Sequence, residues 1–171
     1  MCGTKNSVET TTSSTQSSCP TGFTLFNRTT YSWCLSYCSF ADQTKNIYDN
    51  DDISECCQSL NSKSKASGFQ TTEELHKMNE IISDASTENA YNSYFVGAGK
   101  AAKCSSTQTC TPQDFFEWTD GHTSGTDGFV WSEDIDTTSA VYAILLISDD
   151  ALSGSSINAV ANGAICGMLA D

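Results

Sequence analysis

Basic residues are scarce in this chain: eight lysines and arginines stand against 21 aspartates and glutamates, for a net charge of −13. Nucleic acids and anionic membrane surfaces are themselves polyanions, so neither is a plausible partner. Histidine is nearly absent, with His76 and His122 alone, and no Cys-x-x-Cys pair occurs. Structural zinc wants thiolates or imidazoles in short paired spacings, so zinc is excluded. No apolar run approaches the roughly twenty residues of a membrane span; the longest, AVYAILLI at 140–147, has the length of a strand. Gly-x-Ser-x-Gly, phosphate-cradling glycine loops and dinucleotide fingerprints are missing as well. His122, with Ser124 two residues on, and His76, between Leu75 and Lys77, read as surface residues. Acids abound, but no pair is singled out for glycoside hydrolysis. The chain reads as a non-enzyme with no cofactor.

Cysteine, by contrast, is abundant, with nine in 171 residues. With no zinc spacing to hold them, that many cysteines indicate disulfides and an oxidising, extracellular setting. The sequon Asn27-Arg28-Thr29 agrees with secretion and makes Asn27 a glycosylation candidate. The opening MCGTKNSVETTTSS has no apolar leader, so a secreted chain beginning this way has lost its leader or is a piece of a longer one.

Residues 1–18 are Ser/Thr-rich with few apolar groups, which suggests a flexible stalk ahead of a single domain over 19–171. GFTLF at 22–26 alternates like a strand. In DDISECCQSL, Ile53, Cys56, Cys57 and Leu60 fall on one helix face, with Asp51 and Asp52 at the positive N-terminal end. TTEELHKMNEII predicts a second helix, with Thr71 and Glu74 at capping-box spacing and Leu75, Met78, Ile81 and Ile82 as its buried stripe. Strand candidates follow at 94–98, 115–118, 128–131, 140–147 and 163–169. Two helices followed by short strands and long loops indicate an α+β fold.

An odd cysteine count leaves one thiol over. Cys104 and Cys110 are close enough to staple one loop, and Cys19 and Cys34 bracket a hairpin. A bond from the first helix to Cys166 would tie the ends of the domain together. Cys57 suits it and leaves Cys38 with Cys56, although spacing does not decide between Cys56 and Cys57. Cys2 is then the odd one out.

CPTGFTLF, the helical cysteine followed by ASGFQTTEEL, YFVGA, the small 104–110 loop, FEWTDG, GTDGFVW and the cysteine of AICGM occur in that order. Together they resemble a C-type lectin-like domain, in particular the secreted nematode kind, over most of the chain. The resemblance implies two helices flanking antiparallel sheets and a long ligand-carrying loop region. In it Trp118 and Trp131 anchor the loop, and Gly121, Gly125 and Gly128 allow its turns.

Sugar-binding members of that family hold calcium with a proline-centred tripeptide four residues beyond the loop tryptophan. The corresponding residues here are Ile135, Asp136 and Thr137, and a cis bond without proline would cost about 2.5–4 kcal/mol. The family's Trp-Asn-Asp triplet aligns with Ile157, Asn158 and Ala159, and its loop-steadying cysteines with Tyr142 and Asn162. Calcium takes six to eight oxygens, so hydrocarbon at Ile135 and Ala159 disfavours it. Glu133, Asp134, Asp136 and Asn158 are the remaining ligand candidates on that rim; Glu133, Asp134 and Asp136 with Asp127 could make an alternative cation site, but no loop spacing orders them around one point and they read as surface acids. The reading is calcium-independent recognition of a glycan or an extracellular protein through 119–139 and 148–160. The alternative is a coat or matrix protein linked through Cys2.

Overall fold

The structure is a computed structural model and describes residues 17–40, 49–85, 93–104, 110–132, 140–155 and 161–171. Cys2 and most of the proposed stalk lie outside the described residues. In chain order the elements are β1 (Thr24–Asn27), β2 (Ser32–Ser39), α1 (Asn50–Leu60), β3 (Lys65–Ala66), α2 (Thr72–Ala85), β4 (Ser93–Lys100), α3 (Pro112–Phe115), β5 (Phe116–Trp118), β6 (Tyr142–Leu146), β7 (Ala151–Ser155) and β8 (Gly163–Leu169).

The strands join in one connected sheet of order β1-β2-β8-β4-β6-β7, with β3 added on β8 and β5 on β4. The α+β class holds, but the sheet is mixed rather than purely antiparallel, because β4 and β8 run parallel. Ser18, ahead of β1, and Asp171, beyond β8, exchange backbone hydrogen bonds, each 3.2 Å.

Both faces of the sheet are covered. On one face Trp33, Leu35, Phe69, Leu145, Leu152 and Ile165 pack with Leu75, Met78 and Ile82 of α2. On the other, Cys38, Phe40, Phe95, Ile144, Ala164 and Cys166 pack with Ile53 and Cys57 of α1. Neighbouring residues such as Tyr94 and Phe95, or Ile144 and Leu145, therefore serve opposite layers. This is why the central strands read as continuous apolar runs.

Helix α1 starts at Asp49, whose carboxylate accepts from the N–H groups of Asp51 and Asp52, while Asp52 accepts from the Asp49 N–H. This capping box satisfies donors that the helix cannot pair internally. The expected apolar face is shorter than the sequence suggested, since Leu60 at the C-terminal end is exposed. Four disulfides form: Cys19–Cys34, Cys38–Cys56, Cys57–Cys166 and Cys104–Cys110. Cys57 is fully buried and faces β8, so it makes the long bond, and half-buried Cys56 takes Cys38.

Candidate ligand-binding surface

In α2 the expected capping box is half present. The Glu74 N–H bonds the Thr71 hydroxyl (3.2 Å), but the Glu74 carboxylate does not return to Thr71. It turns inward, accepts from the Gln70 N–H (2.7 Å) and receives both prongs of the Arg28 guanidinium, at 2.8 and 2.7 Å. Both side chains of the pair are buried. Arg28 also lies over the Trp33 ring, 5.2 Å from its centroid. Burial alone would lower the Arg28 pKa, yet the bonds to Glu74 and Tyr31 hold it above its ordinary value.

From Arg28 the network reaches the long loop. A guanidinium N–H donates to the Thr123 hydroxyl (3.2 Å), which in turn donates to Asp120 (2.5 Å). The buried Asp120 carboxylate also accepts from the backbone N–H groups of Gly68 (2.8 Å), His122 (2.8 Å) and Thr123 (2.6 Å). Burial pushes its pKa up, but the bonds from Thr123, Gly68 and His122 outweigh burial and hold it below the ordinary 3.8. Lys65 donates to the Asp120 carbonyl and Tyr31 to the His122 carbonyl. His122 is thus not the free surface residue expected: its ring is half-buried, 4.8 Å from Trp33.

The loop's second anchor is aromatic. Phe129 lies between Trp118 (3.8 Å, parallel) and Trp131 (5.3 Å, nearly parallel). The Trp118 indole N–H donates to the Gly125 carbonyl (3.0 Å). Gly121 and Gly125 adopt φ of +73° and +79°, the turn geometry expected of them. Gly128 has another role. A Cβ there would stand 1.9 Å from the Phe69 carbonyl oxygen, so glycine lets the loop backbone press against the start of α2. The run 128–131 forms no strand: Val130 and Ser132 instead exchange backbone bonds with Leu152 of β7.

These contacts leave a groove of about 720 Å³ between α2, Trp131 and the β6–β7 turn, lined among others by His76, Ser132, Asp149, Asp150 and Ser153. His76 is exposed at the surface, as expected, and its Nδ1 pairs with Asp150 at 2.5 Å. Asp150 has φ of +50°, the one non-glycine residue with positive φ among the described residues.

Of the sequence-proposed ligands, Glu133, Asp134, Asp136 and Asn158 lie outside the described residues, as do Ile135 and Ala159. Asp127 is exposed, and its carbonyl accepts from Thr72 at the start of α2. Tyr142 packs edge-on against Phe95 (5.8 Å). The Asn162 amide oxygen and backbone N–H bond the Ser93 N–H and carbonyl, at 3.1 and 2.8 Å. Asn27 of the sequon is exposed at the end of β1. Among the described residues, one set of three metal-ligating side chains converges, Cys38, Cys57 and Cys166, and all three sulfurs are in disulfides. Among the same residues, no helix is long and apolar enough to cross a membrane.

No family model matches the sequence, and no curated protein does. Solved structures match in shape. A calcium-independent type II antifreeze protein aligns with TM-score 0.58 at 16% identity, over 91% of this chain and 98% of that one. The C-type carbohydrate-recognition domain of cow CD23, solved with a GlcNAc2Man3 oligosaccharide, aligns with TM-score 0.59 at 12% identity, over 91% and 99%. SPL-2, a calcium-independent C-type lectin from Saxidomus purpuratus, aligns with TM-score 0.58 at 15% identity, over 88% and 93%. At such identities the likeness establishes the fold.

Proposed function

We propose that this chain, folded as a C-type lectin-like domain, is an extracellular recognition module that binds glycan without calcium. The binding surface is the loop segment from 119 onward together with the β6–β7 turn. One observation carries the reading: residues 120–131 of the loop are held in place by the protein's own bonds. Asp120 takes donors from Gly68, His122 and Thr123, Arg28 braces Thr123, and Phe129 is clamped between two tryptophans. A loop braced this way is organised in advance, which lowers the ordering cost of binding. In the correspondence with sugar-binding members, Ile135 and Ala159 put hydrocarbon at two positions of the calcium motifs, and calcium wants six to eight oxygens, which favours a mode without the ion. Two of the solved neighbours are described as calcium-independent, one of them a lectin, so this fold is compatible with that mode.

Four disulfides and a charge of −13 suit an extracellular, soluble setting. The histidines are engaged in bracing, His76 with Asp150 and His122 against Trp33, and the reading assigns them no catalytic step. The test is a printed glycan array probed in calcium and again in chelator. Binding that survives chelation supports the reading; an empty array, or binding abolished by chelator, refutes it.

A further inference from the structure

The two disulfides that tie α1 to the sheet leave from neighbouring residues and end side by side. Cys56 bonds Cys38 of β2, and Cys57 bonds Cys166 of β8. The antiparallel register of β2 and β8 sets Cys38 opposite Ala164 and Cys166 opposite Ser36, so the two cysteines are diagonal neighbours on one face. Their sulfurs stand 3.5 Å apart although each is bonded elsewhere, and Cys57 Sγ lies within 4.8 Å of both. Exposure is unequal. Cys38, Cys57 and Cys166 are buried, whereas Cys56 is half-buried. An external thiol therefore reaches this cluster at Cys56. The sulfur it displaces is Cys38, which already touches the second disulfide.

We propose that these cysteines form a thiol-triggered switch, in which opening Cys38–Cys56 moves the second bond off α1 and onto the sheet. A low-molecular-weight thiol such as glutathione attacks Cys56 Sγ as its thiolate. The Cys38–Cys56 bond breaks, a mixed disulfide forms on Cys56, and Cys38 leaves as a thiolate. Once freed, the Cys38 side chain turns about its Cα–Cβ bond into line with Cys57–Cys166 and attacks Cys166 Sγ. Cys38–Cys166 forms, and Cys57 leaves as a thiolate and takes a proton from water. A second thiol resolves the mixed disulfide on Cys56. Two external thiols are thus oxidised to one disulfide while the protein loses one of its own. The consequence for the fold is specific. The bond that closes the chain joins residues 109 apart before exchange and 128 apart after it, so the ends of the domain stay linked. Helix α1 loses both covalent ties and keeps the packing of Ile53 and Cys57 in the apolar layer.

The test is bond mapping of the intact protein, with Cys2 first blocked by iodoacetamide. The folded protein is held in millimolar reduced glutathione, trapped with N-ethylmaleimide and digested without further reduction for mass spectrometry. In the starting protein the α1 peptide is crosslinked to both the Cys38 and the Cys166 peptides. The switch predicts that it comes away from both, with maleimide on Cys57 and maleimide or glutathione on Cys56, while a Cys38–Cys166 crosslink appears. Hydrogen exchange should then rise in α1 and stay low in β2 and β8. In Cys38→Ser/Cys56→Ser the internal nucleophile is missing, so Cys57–Cys166 should open at least about tenfold more slowly in the same glutathione. An α1 peptide still joined to Cys166, with maleimide on Cys38, overturns the switch. Loss of both bonds without a new crosslink overturns it too, as does a protein in which neither bond opens or a variant that opens as fast as the wild type.

Discussion

Arg28, just past the end of β1, and Glu74, in the first turn of α2, meet in a two-pronged ion pair, with 1% and 3% of their side chains exposed. They lie 46 residues apart, and Arg28 continues the connection to Thr123 in the loop. Removing one partner leaves the other charge buried without compensation. Glu74→Ala should therefore cost about 3–5 kcal/mol. The double variant Arg28→Met/Glu74→Leu should cost less than Glu74→Ala alone, because no orphan charge remains. Urea unfolding of the three proteins checks the order.

Asp120 gives a pH signature. Its folded pKa lies below its ordinary 3.8, so it contributes stability that is complete above that value. As pH falls through the depressed folded pKa, that contribution is lost. Stability should therefore decline below about pH 4, and Asp120→Asn should flatten that decline while lowering stability at neutral pH. Thermal unfolding across the acid range measures both. An Asp120→Asn curve parallel to the wild type would contradict the role given to this carboxylate.

Gly128→Ala should be more damaging than Gly121→Ala. At 128 the new methyl meets backbone, the Phe69 carbonyl at 1.9 Å, and overpacking of this kind costs upward of about 1–3 kcal/mol. At 121 the site is open and the cost is the left-handed backbone, about 1–2 kcal/mol. Melting temperature gives the ranking, and near-UV circular dichroism reports whether the Trp118–Phe129–Trp131 stack survives.

The disulfides should differ by the loops they close. In the chain-entropy description, Cys57–Cys166, with a separation of 109 residues, contributes roughly 5 kcal/mol, whereas Cys104–Cys110, with a separation of 6, contributes roughly 2. Paired serine variants compared by denaturant midpoint test the ranking; equal losses would contradict it.

Much of the scaffold could be read from the chain because its signals are local. Ile53, Cys56 and Cys57 repeat at helical spacing, Leu75, Met78 and Ile82 do the same, and the cysteine spacings restrict the bonding. The parts that escaped depend on distant partners. Strand β2 was hidden because its eight residues read as a carrier of two cysteines, and β7 (ALSGS) has no strong strand former. Glu74 looked like half of a capping box, and nothing near it announced Arg28. Arg28 itself stood out only as the middle of a sequon. Asp120 looked like one more acid among 21, although the Asp-Gly-His-Thr run that lets it accept from His122 and Thr123 was a usable turn signal.

The most direct test of the account is the affinity of the intact protein for an array-positive glycan, measured once with calcium and once with EDTA. The account predicts the same dissociation constant in both, within about twofold, because no ion joins protein to sugar. Loss of binding in EDTA, restored by adding calcium back, would contradict it.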